Sequence, residues 1–125
     1  MTTTTYTDPA ALPSATIHPS ATIDPRVIVG ANAYIGTRAR VGEGVTIDPG
    51  AFVGMDAIIH PGATVCEGAR IGPQAFVCDG AYIGPRAIVG EQTYIDHGAR
   101  VGEGARIGPR ATVPAGAIVV EDEED

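Results

Sequence analysis

A branched aliphatic residue recurs at every sixth position of this chain. Ile17, Ile23, Val29, Ile35, Val41, Ile47, Val53, Ile59 and Val65 are followed, in the same register, by Ile71, Val77, Ile83, Val89, Ile95, Val101, Ile107, Val113 and Val119. All eighteen are Ile or Val. Two residues earlier runs a second row, from Ala15 to Ala117, in which fifteen of eighteen are Ala and the others are Val27, Val45 and Thr93. Six is a multiple of the two-residue period of a strand, so an extended chain keeps both rows on one side of its backbone. A helix of 3.6 residues per turn would carry the same rows around its surface and bury nothing consistently. The β-branched row itself favours extended backbone. Between the apolar pairs lie turn dipeptides such as Pro49-Gly50, Pro61-Gly62, Glu67-Gly68, Asp79-Gly80 and His97-Gly98. A first turn residue with fixed φ and a second that accepts positive φ are what a type II turn requires. The expectation is an all-β chain that turns every six residues and therefore coils rather than lying flat.

The 17 Gly and 10 Pro exceed a fifth of the 125 residues, a share that without a period marks a low-complexity chain. Here both fall in register with the aliphatic row, and the length suits one domain. All eight basic residues are Arg. Of the net charge of −7, residues 121–125 carry −5. That leaves too little positive charge on the remainder for a nucleic-acid-binding surface. No stretch has the length of apolar sequence that a membrane span needs, and residues 1–9 have neither the basic end nor the apolar run of a signal peptide. Cys66 and Cys78 do not make a disulfide framework. These readings predict an extension over 1–10, a coiled domain over 11–120, a disordered acidic tail over 121–125, and a cytoplasmic location.

The unit Ile83-Gly84-Pro85-Arg86-Ala87-Ile88, repeated over nearly the whole chain, resembles the hexapeptide-repeat family of acyltransferases. The resemblance implies a left-handed parallel β-helix with three hexapeptides per coil, a triangular cross-section and about six coils. The hand comes from the resemblance alone, since parallel crossovers are otherwise right-handed. It also implies a cyclic homotrimer whose flat faces meet, with ligands held between neighbouring subunits. Residues eighteen apart then stack. One face presents Gly36, Gly54, Gly72, Gly90 and Gly108 in a column, which suggests close approach of another surface. Another presents Ile58, Phe76 and Tyr94 beside His60, Cys78 and Asp96, an apolar stripe of the kind that marks an interface or a substrate contact.

Within that scheme the turn residue His97 lies one coil from Asp79, so a carboxylate of Asp79 or Asp96 is placed to orient the imidazole as a general base. The segment Tyr94-Ile95-Asp96-His97 resembles the acidic-His segment of sugar acetyltransferases in the family, where a His deprotonates the acceptor for attack on acetyl-CoA. The residue after that His is often acidic there and is Gly98 here. The resemblance therefore implies acetyl-CoA as co-substrate, a small amine or hydroxyl acceptor, and His97, Asp79 and Asp96 as catalytic residues. Arg86, Arg100, Arg106 and Arg110 are candidates to meet coenzyme A phosphates. His18 is expected to be structural. The coils run without an extruded loop, which suits an alternative reading as a non-catalytic trimeric scaffold. Gamma-class carbonic anhydrases share the fold, but their metal needs a close pair of His in one chain, and no two of the three His here fall in one coil; no metal is expected.

Overall fold

The computed structural model describes residues 15–120. The proposed extension, the acidic tail and the first four residues of the coiled domain lie outside them. Eighteen two-residue strands follow one another at six-residue intervals, β1 (Thr16–Ile17), β2 (Thr22–Ile23), β3 (Ile28–Val29) and so on, each beginning six residues after the last, to β17 (Thr112–Val113) and β18 (Ile118–Val119). Each strand pairs in parallel with the strand three further on, in a register of eighteen residues, as in Phe76 with Tyr94 and Tyr82 with Arg100. Three six-stranded sheets result: β1-β4-β7-β10-β13-β16, β2-β5-β8-β11-β14-β17 and β3-β6-β9-β12-β15-β18. The molecule is a parallel β-solenoid of about six coils, as the hexapeptide pattern implies for a left-handed β-helix.

Both inward rows behave as the six-residue spacing requires. From Ile23 to Val113 every Ile and Val of the aliphatic row is buried, and the Ala row lies beneath the turns beside it. Thr93, the polar intruder in the Ala row, is fully buried. Its hydroxyl donates to the carbonyl oxygen of Gly108 at 2.9 Å, which removes the cost of leaving that group dry and unpaired.

The turns obey a rule that composition alone does not reveal. In fifteen of them the third residue has positive φ, and each of these turns holds a glycine at its first or third place. Arg38, Asp56, Gln74, Gln92 and Arg110 take the strained conformation at one corner of the prism, each two residues after a glycine. A Cβ on Gly54 or Gly72 would lie 2.7–3.0 Å from backbone atoms of the coil above. The glycine column is thus filled by the chain's own next coil, and its expected role as a bare surface for a partner is corrected: the close approach is internal. Two turns lack both glycines. There the side chain of the first residue takes over, Asp24 accepting from the Arg26 amide at 2.9 Å and His18 Nδ1 from the Ser20 amide at 3.1 Å, the side-chain mimic of a turn. His18 is structural in this sense.

Candidate functional site

The second sheet and the corner that follows it carry the residues singled out by the sequence. At that corner the first turn positions of successive coils are His60, Cys78 and Asp96, and the second positions are Pro61, Asp79 and His97. The amide of Gly98 donates to the carbonyl of Asp79 at 3.0 Å and that of Gly80 to the carbonyl of Pro61 at 3.2 Å, so the turns stack in register. The ladder brings His60, Cys78, Asp79, Tyr94, Asp96 and His97 to the walls of one open recess of about 670 Å³. Phe76 closes the group from below: its ring stacks on Tyr94 at 5.2 Å and meets the His60 imidazole edge-on at 4.7 Å.

The carboxylates divide between the two histidines. Asp96 Oδ1 accepts the backbone N–H of His97 at 2.7 Å, which fixes the carboxylate beside the next side chain and leaves it 3.0 Å from His97 Nδ1. Asp79, expected one coil below His97 to orient its ring, has its carboxylate 3.7 Å from Nδ1 of His60 instead, which corrects that pairing. The recess therefore holds two imidazole–carboxylate pairs. Nδ1 of each ring is the nitrogen turned to its carboxylate.

Tyr94 and Cys78 form a contact that residue-by-residue reading missed. Cys78 is buried although it occupies an outward position, because the Tyr94 ring leans back across it from the coil above. The hydrogen bond between the phenol and the Cys78 sulfur holds the Tyr94 hydroxyl in its protonated form, with its pKa pushed up to about 12. Tyr82 covers Cys66 in the same way on the third sheet, and its phenol is also raised by that hydrogen bond. In both cases the tyrosine follows the cysteine by sixteen residues, and that spacing was the available signal. Cys66 and Cys78 are both free thiols.

Below the polar recess, on the same sheet, lies a second hollow of about 430 Å³ whose walls are mainly Val41, Ile58, Ile59, Pro61 and Phe76, with Thr22 and Arg40 at its far side. His60 borders both. The sequence identifies Ile58 and Phe76 as an apolar stripe but does not reveal this trough. Of the four arginines expected to meet phosphates, Arg86 pairs with Glu103 and Arg110 lies 3.7 Å from Glu91. Arg100 stands over the Tyr82 ring at 4.9 Å. Among the described residues no three His, Cys, Asp or Glu converge to hold a metal ion, and no helix is long and apolar enough to cross a membrane.

A parallel solenoid with a six-residue repeat and a recess built at one of its corners defines the class of this protein. The sequence matches the bacterial transferase hexapeptide (six repeats) family over residues 14–49 and 77–115, and the chain belongs to that family. Among curated proteins no sequence match is found. Among solved structures, GDP-perosamine N-acetyl transferase from Caulobacter crescentus, in complex with CoA and GDP-perosamine, aligns with a TM-score of 0.81 at 21% identity. The alignment covers 84% of this chain and 50% of that one. UDP-N-acetylglucosamine O-acyltransferase from Moraxella catarrhalis aligns with a TM-score of 0.64 at 20% identity, over 90% of this chain and 61% of that one. A hexapeptide transferase family protein from Anaplasma phagocytophilum aligns at 0.57 and 22% identity, over 90% and 69%. At these identities the likeness is one of fold. The chain spans about half the length of the perosamine enzyme.

Proposed function

We propose that this protein is an acyltransferase that moves an acetyl group from acetyl-CoA to a small amine or hydroxyl acceptor, with His97 as general base. The observation that carries the reading is the 3.0 Å pairing of His97 Nδ1 with Asp96 in a recess that also holds His60, Cys78, Asp79 and Tyr94. Asp96 fixes the ring, and Nε2 removes a proton from the attacking group. Family membership supports the reaction class, and the perosamine enzyme that shares the fold was solved with CoA. Coenzyme A would supply the activated thioester; of the four arginines of the C-terminal coils named for its phosphates, Arg86 and Arg110 pair with Glu103 and Glu91, and Arg106 has no ion pair among the described residues. A homotrimer, built on the flat sheets, is part of this proposal.

The test is acetyl transfer from acetyl-CoA to a panel of amines and alcohols. His97→Ala is expected to lower kcat by about a hundredfold to ten-thousandfold, the usual contribution of a positioned general base. Full activity in that variant would remove His97 from the mechanism. The reading as a trimeric scaffold without catalysis draws on one observation, the unbroken succession of strands and turns from β1 to β18 with no extruded loop. Absence of turnover with every acceptor, together with a trimeric mass in sedimentation, would favour it.

A further inference from the structure

We infer that the acceptor is an amphipathic amine, whose ammonium end is held in the acidic recess and whose apolar body lies along the trough below it. The inference rests on the acyl-transfer reading and names the substrate class for that same site. Three observations carry it. The recess is lined by the carboxylates of Asp79 and Asp96 and by no Arg, so its charge suits a cation before reaction. The trough is apolar, built from Ile58, Ile59, Pro61 and Phe76, and it meets the recess at His60. Its volume of about 430 Å³ lies within the range of small-molecule sites. A second protein copy would need about 800 Å² of matched surface, whereas an acetyl group needs almost none of this space. The apolar trough is therefore assigned to the body of the acceptor.

The chemistry balances without a further reactant. The bound ammonium loses one proton to solvent through the Asp79 and His60 side, which leaves a neutral amine within reach of His97. Its nitrogen attacks the thioester carbonyl of acetyl-CoA, the C–N bond forms, and His97 Nε2 accepts the second proton. The C–S bond then breaks, the electron pair leaves with sulfur, and the imidazolium returns its proton to the departing thiolate. The products are the acetamide and free coenzyme A.

A homologous series of linear primary amines, from ethylamine to octylamine, assayed with acetyl-CoA, tests the inference. The expected result is a rise in kcat/KM of about two- to fourfold for each added methylene, levelling off when the trough is full, with alcohols of equal length much poorer. Ile58→Ser, and the milder Ile58→Thr, are expected to reduce the ratio of octylamine to ethylamine kcat/KM by at least about tenfold. Turnover with no dependence on chain length, or no preference for amines, overturns the inference and leaves acyl transfer standing. Absence of turnover with every acceptor is failure of the acyl-transfer reading; calorimetric binding of the same amines without donor then decides the trough. A chain-length slope in Kd that Ile58→Ser flattens retains it, and no slope removes it. A loss of oligomer mass in Ile58→Asp with no amine binding by the parent protein would assign the trough to a second copy and also overturns the inference.

Discussion

Two side chains in this molecule have roles that their place in the repeat does not announce. Thr93 stands where the pattern asks for alanine and compensates by giving its hydroxyl to Gly108. Tyr94 leans over Cys78, and the hydrogen bond to that sulfur pushes its phenol up to about 12 from the ordinary 10.0. Between those two values the folded chain holds a proton that the unfolded chain has released. The contribution to stability is therefore complete below pH 10 and is lost as the pH rises through about 12. The ultraviolet absorbance of the phenolate reports this directly. Subtracting the titration of Tyr94→Phe from that of the parent protein should reveal a component near 12, and Cys78→Ala should bring that component back towards 10. A Tyr94 component at the ordinary value in the parent protein would refute the contact. Both Cys78 and the ring of Tyr94 border the recess, so a neutral, hydrogen-bonding phenol is part of its wall at physiological pH.

At the scale of the strand and turn, every coil depends on its neighbour being close. Gly72 illustrates the limit: an added Cβ would sit 2.7 Å from the Glu91 nitrogen and 2.8 Å from the Gly90 carbonyl carbon. These are backbone atoms tied into the ladder, so they have no free rotamer with which to yield. Gly72→Ala should cost about 1–3 kcal/mol, the range for overpacking. Gly108, in the last position of the same column, has open space in that direction. Gly108→Ala should change stability by less than about 0.5 kcal/mol. Urea unfolding of the two variants decides it, and equal losses would mean that the column is not what lets the coils approach. The two cases also mark what the sequence makes legible. The six-residue period reveals strand, inward row and turn because each is set within one hexapeptide. The role of the glycine column is not legible there because it depends on the distance between coils, which no single hexapeptide contains. The site divides the same way: stacking at eighteen residues places His60, Cys78, Asp79, Asp96 and His97 on one corner. Which carboxylate each imidazole meets is set by side-chain rotamers, and Asp96 wins over Asp79 because the His97 amide already holds it.

Across the whole molecule, phase decides which residues meet. Position along the chain, counted in eighteens, sets the face that a residue occupies, while the core needs only a count in sixes. Removing one hexapeptide therefore preserves the buried rows and turns everything beyond the cut onto the next face. Excising residues 85–90 joins Gly84 to Glu91, which keeps a glycine at the first place of the new turn. It moves Tyr94 from its register with Phe76 into register with Arg70, and it carries Asp96 and His97 away from His60 and Cys78. Excising residues 37–42 joins Gly36 to Glu43 and leaves everything from 43 to 120 in its native phase. The two deletions are matched in composition of the core: each removes one buried Ala and one buried Val, Ala87 with Val89 or Ala39 with Val41. The first also removes one arginine–carboxylate pair, Arg86 with Glu103, whereas the second removes Arg38 with Asp56 and separates Arg26 from Glu43. In a solenoid whose stability is close to a sum over repeats and their neighbours, both variants should keep a β-type circular dichroism spectrum and unfold within about 1 kcal/mol of each other. They should differ at the site. Loss of residues 85–90 should abolish acetyl transfer and return the Tyr94 phenol to its ordinary titration; loss of 37–42, which takes Arg40 and Val41 from the trough, should retain the raised phenol and acetyl transfer to the short acceptor ethylamine. If the two deletions behave alike at the site, the recess is not assembled by the eighteen-residue phase. The phenol titration distinguishes the two outcomes even if no acceptor is ever turned over.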